Sequence, residues 1–165
     1  MLYDYCKYER GPSYIRLTGV PGVKKVYEKN YKYIFGKPII LKKGRDLLII
    51  SSGSLVAEAV VAANTLKSKG IDAEVINLHT LRPLNKLIYS KIKSFKKVIT
   101  VEEHTSAGGL CSVVSEIIAK QNLKKSFLSI SLPEKFGPTG TYLYLLNYHG
   151  LTGEKIVKKI LKKMY

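Results

Sequence analysis

In residues 98–116, VITVEEHTSAGGLCSVVSE, an adjacent pair of carboxylates, an imidazole, a Gly-Gly pair and a thiol lie close together. Such groups do general acid–base chemistry or bind a metal. If the strand VITVEE persists, side-chain alternation puts Glu102 and His104 on one face and Glu103 on the other. A metal would need a third ligand from elsewhere, and neither His79 nor His149 stands at a motif spacing. Cys6 and Cys111 are far apart with no CxxC, so two free thiols and no zinc site are expected. Gly108 and Gly109 permit a tight turn and a close backbone approach before the next helix, for packing or for function. A second candidate, SSGS at residues 51–54, sits where helix N–H groups could hold an anion. Without GxGxxG or GxxxxGK[ST] around it, a helix N-cap by Ser52 or Ser54 is the expected role, ahead of a free-standing nucleotide site.

The elements that must position these residues follow from hydrophobic spacing. LLIISSG, IDAEVINL, KKVITVEE and SFLSISL read as short buried strands. Between them, SLVAEAVVAANTLKSKG, RPLNKLIYSKIKSF and GGLCSVVSEIIAKQNL read as helices, the second opened by Pro83. TGEKIVKKILKKMY puts Ile156, Val157, Ile160 and Leu161 on one face of a last helix. Strand alternating with helix predicts an α/β fold, a mostly parallel sheet covered on both faces. Residues 1–37 break the rhythm. They read as a helix end, a Gly-Pro break, one short strand and a Gly/Pro-punctuated connector rich in Lys and Tyr. A lone strand cannot bury its faces, so this region is expected to be the tail of something larger.

At 165 residues and 45% hydrophobic content, the chain suits one domain. It has neither an apolar run of roughly 20 residues nor an apolar N-terminal core, which predicts a cytoplasmic protein without a membrane partner. The formal charge of +16 raises polyanion or nucleic-acid binding as an alternative. The cations are spread in lysine pairs and only four are arginines, which disfavours nucleic acid and points to a solvated surface.

Three blocks carry a family resemblance: residues 47–85, LLIISSGSLVAEAVVAANTLKSKGIDAEVINLHTLRPLN; residues 98–116, quoted above; and residues 136–156, FGPTGTYLYLLNYHGLTGEKI. In this order and spacing they resemble the C-terminal domain of the transketolase family of thiamine diphosphate enzymes. That family includes transketolases, deoxyxylulose phosphate synthases and the β subunits of 2-oxo acid dehydrogenases. The resemblance implies a five-stranded, mostly parallel three-layer domain over residues 38–165 and a linker over 20–37. Residues 1–19, with GPSYIRL, would be a remnant of a preceding pyrimidine-binding domain.

The resemblance also implies what the chain lacks. The family holds its diphosphate through Mg²⁺ at a GDG motif and activates the cofactor with a pyrimidine-domain glutamate; neither is in this sequence. The chain is expected to bind no cofactor or metal and to be inactive alone, thiamine diphosphate and Mg²⁺ belonging to a complete enzyme that transfers a two-carbon ketol unit between sugars. Its partners would be the remaining domains or an N-terminal subunit, in a homodimer. Arg16 matches the family pattern as a substrate or interface residue, but the arginine usual three positions later, which helps bind the substrate phosphate, is Gly19. Asn85 replaces an aspartate with equal capping ability, and Cys111 replaces a glycine. Glu102, Glu103 and His104 become a strand-end motif facing a domain interface or another domain's active-site rim, with Gly108 and Gly109 as the turn that seats the next helix.

Overall fold

The computed structural model describes residues 11–15, 24–27 and 33–165. Five strands form one sheet: β1 (Ile39–Lys42), β2 (Leu47–Ser51), β3 (Ala73–Asn77), β4 (Lys97–Thr105) and β5 (Ser126–Leu132), in the order β1-β3-β2-β4-β5. β2, β3, β4 and β5 run parallel; β1 pairs antiparallel with β3, Ile39 opposite Asn77. The helices are α1 (Val56–Lys67), α2 (Lys86–Ser94), α3 (Leu110–Lys120), α4 (Tyr142–Tyr148) and α5 (Gly153–Met164).

β2 and β3 are buried at every position, and β4 from Val98 to Glu102, because both faces are covered, and alternation divides their apolar side chains between two cores. Leu47, Ile49, Val75, Ile99 and Val101 pack under α1 and α5 with Leu146 of α4. Leu48, Ile50, Ile76 and Val98 pack under α2 and α3. The α1–α5 crossing depends on Gly153, where a Cβ would lie 2.6 Å from Val61 Cγ1 and 3.2 Å from the Glu58 carbonyl. An ion pair between half-buried Lys91 and buried Glu74, at 2.7 Å, fastens α2 to β3.

The expected fold class holds, with corrections at element ends. Pro83 does not open α2: its peptide is cis, and the helix begins at Lys86 after Asn85, whose side chain accepts the Leu87 N–H at 3.0 Å. Neither serine caps α1. Ser52 precedes a 3₁₀ turn over Gly53–Leu55 without a side-chain cap bond, and the α1 cap residue is Leu55. Two elements lack a counterpart among the expected ones, the antiparallel edge β1 and the seven-residue α4. Residues 11–15 are exposed and outside any strand; the rest of the expected N-terminal helix end and strand, with Arg16 and Gly19, lies outside the described residues. The connector's described parts pack on the domain: Lys24 pairs with Glu58 at 2.8 Å, Asn77 donates to the Tyr27 hydroxyl at 2.7 Å, and the Tyr33 and His79 rings lie 4.9 Å apart.

Candidate functional site

Parallel α/β sheets place their sites at the carboxyl edge, where successive connections leave on opposite faces. Here β2 continues into α1 under one face and β4 into α3 under the other, so the crevice lies between Ser51–Leu55 and Thr105–Gly109. The chain spans it with its own hydrogen bonds. Ser51 Oγ donates to the Val101 carbonyl at 2.8 Å. Ser54 Oγ and the Tyr142 hydroxyl both donate to Glu103 Oε2, the latter at 2.6 Å. Partial burial, then the bond to Glu103, push the Tyr142 phenol up to about 12, the Ser54 bond working the other way.

Glu102 and His104 share the opposite face, as strand alternation requires. Glu102 is buried and accepts the N–H groups of Leu110 at 2.6 Å and Cys111 at 2.7 Å. It caps α3 from the adjacent strand, and the first-turn N–H groups and helix dipole compensate its buried charge. Gly109 makes this possible: a Cβ there would lie 2.2 Å from Glu102 Oε2 and 3.1 Å from His104 Nδ1. Gly108 turns the chain at φ +77. His104 is exposed, and its Nδ1–H donates to the Thr105 carbonyl at 2.9 Å. The structure thus gathers Glu102, His104, Gly108 and Gly109 on one side and Glu103 on the other; Arg16 lies outside the described residues. Tyr142 joins the site unannounced by the sequence. It lies 39 residues from Glu103, and nothing local to TYLYLLNY pairs it with an acid.

The carboxyl edge does not suit a diphosphate and its cation. Such a group needs oxygen ligands around a metal and free N–H groups around phosphate. The α3 N–H groups already hold a carboxylate, which would repel phosphate. Among the described residues, no three of His, Cys, Asp or Glu converge on a cation position. The hollow beneath Glu103 and Tyr142, lined by Leu132, Leu146 and His149, has a volume of about 120 Å³, short of the roughly 300 Å³ at which ligand pockets begin.

Comparison with known proteins places this geometry. The family description "Transketolase, C-terminal domain" matches residues 36–156. The chain belongs to the transketolase C-terminal domain family. Similar members include a chain from Methanocaldococcus jannaschii named as a transketolase C-terminal section, 40% identical over 94% of this chain and 49% of its own length. A 6-deoxy-6-sulfo-D-fructose transketolase subunit from Clostridium is 35% identical over 90% of this chain and 46% of its own. A solved structure described as a split gene transketolase, inactive beta4 tetramer, aligns with TM-score 0.75 and 29% identity, covering 86% of this chain and 46% of that one. The chain spans about half the length of these family members. None of them lends support to the nucleic-acid alternative. No helix among the described residues is long and apolar enough to cross a membrane.

Proposed function

We propose that the chain is the C-terminal section or subunit of a transketolase-like enzyme that moves a two-carbon ketol unit between sugars, and that its own task is assembly and shaping of the substrate entrance. Thiamine diphosphate, with Mg²⁺, supplies the carbon chemistry and is held by other domains. The observation that carries this reading is the closed carboxyl edge. Glu102 is committed to α3, and Glu103 to Ser54 and Tyr142, which leaves a rigid polar rim in place of a cofactor cradle. The inactive state named for the split-gene structure accords with a section that needs a partner.

On this reading residues 1–19 are the end of a pyrimidine-binding domain, 20–37 a linker and 38–165 the C-terminal domain, and the complete enzyme is a cytoplasmic homodimer of carbohydrate metabolism. Arg16 and the rim formed by Glu103, His104, Gly108 and Gly109 face the partner domains or the substrate, with Glu102 holding α3 behind them. Gly19, lacking the family's arginine, removes one charge-assisted contact to a phosphorylated substrate.

The test is reconstitution with a polypeptide carrying the cofactor-binding domains, read by size-exclusion chromatography and by ketose-to-aldose transfer. The mixture should form a complex and turn over substrate while this chain alone does not. Turnover by this chain alone, or failure to form a complex, would overturn the proposal. Glu103→Ala and His104→Ala should weaken assembly and leave turnover per assembled complex within about twofold, a change under 0.5 kcal/mol. Normal assembly with lost turnover would make them catalytic.

A further inference from the structure

Beside the closed crevice, past the end of β5, lies an open cleft of about 530 Å³, within the range of sites that hold small ligands. Its walls come from distant parts of the chain: Ser106 after β4, Ser131 in β5, Lys135 in the following loop, His149 after α4 and Lys159 in α5. Positive charge prevails, Lys135 and Lys159 facing one acid, Glu134. Among the described residues, none of the salt bridges involves either lysine. Lys159 is half-buried, and its Nζ donates to the His149 carbonyl at 2.9 Å. That bond fixes the ammonium in place and uses one of its three protons. A neutral carbonyl cancels none of the charge, so an unpaired cation is held where water is reduced, a setting that strengthens its attraction for an anion. Burial pushes its pKa below the ordinary lysine value, and an arriving anion would reverse that. Hydroxyls complete the wall: Ser131 Oγ accepts from Ser129 at 3.3 Å, which leaves its own proton to donate.

We propose that this cleft binds the phosphate group of a small phosphorylated metabolite, with Lys159 and Lys135 as its charged contacts and Ser106, Ser131 and His149 as hydrogen-bonding walls. A compact dianion matches a cleft lined by two lysines and by serine hydroxyls. The footprint has room for a few carbons beyond the phosphate. The cleft borders the rim, sharing His149 with the hollow beneath Glu103. Its charged contacts, Lys135 and Lys159, are not rim residues, and phosphate binding is read on this chain alone, so failure of the enzyme reading would leave the proposal standing.

The test is isothermal titration of the full chain with inorganic phosphate, with glycerol 3-phosphate and with uncharged glycerol. Both phosphates should bind and glycerol should not. Tighter binding of the ester would identify a phosphorylated metabolite, and equal binding free phosphate, as the source of the same recognised group. Lys159→Met, which keeps the packed stem, and Lys135→Gln, in an exposed loop where folding is not at stake, should each weaken binding about tenfold or more, the loss of one charged hydrogen bond. Lys97→Met, at a basic surface near Tyr165, should bind as the parent does. No binding of either phosphate at millimolar concentration, unchanged affinity in Lys135→Gln and Lys159→Met, or an equal loss in Lys97→Met would overturn the assignment.

Discussion

Glu102 and Glu103 are adjacent in the chain and do different jobs, because strand alternation turns one inward and leaves the other at the rim. The inward carboxylate satisfies two α3 N–H groups that have no other partner among the described residues. Glu102→Ala should therefore cost about 2–3 kcal/mol, since it orphans one buried and one half-buried donor, and Glu102→Gln, which keeps one acceptor oxygen, clearly less. Chemical denaturation of the two variants checks this, and equal losses would contradict the capping role. For Tyr142 the sign follows from its raised pKa. The folded value of about 12 lies above the unfolded 10.0, so the phenol's contribution is whole below pH 10 and is lost as pH rises toward 12. Difference absorbance of the phenolate between the parent and Tyr142→Phe should report a late-titrating tyrosine, and Glu103→Gln should lower its pKa. At this scale the sequence was half legible. Alternation gave the two faces of the EEH motif, but only the fold brings Tyr142 and Ser54 to Glu103, since both contacts join distant segments.

At the scale of elements, legibility tracked periodicity. β2 to β5 and the amphipathic α5 declare themselves by apolar runs or a one-sided stripe. α4, YLYLLNY, is short and nearly all apolar or aromatic, so it offers no 3.6-residue contrast and reads as strand as easily as helix. β1, IILK, is a four-residue edge whose register breaks between Ile40 and Lys42, too short to alternate. Serines 52 and 54 looked like caps, and tertiary bonding drew Ser54 to Glu103 instead. Helix seating depends on close approaches that no pattern reveals. Gly153→Ala would press a methyl on Val61 at the α1–α5 crossing and should cost about 1–3 kcal/mol. In a Val61→Ala background the same change should cost measurably less. A double-mutant cycle by thermal denaturation gives the coupling, and strict additivity would refute the contact.

At the scale of the molecule, the blocks that carried the family resemblance lie within or next to residues 36–156, which match the family description. Charge proved the less informative signal. An excess of lysine at +16 sets solubility and nonspecific attraction without specifying a fold, and the unpaired lysines that matter here are those a cleft gathers. The central claim is that this domain contributes shape and contacts to a thiamine diphosphate enzyme while holding none of the cofactor. Isothermal titration of the isolated chain with thiamine diphosphate and Mg²⁺ tests it most directly. The account predicts no binding in the micromolar range; micromolar binding by this chain alone would contradict it.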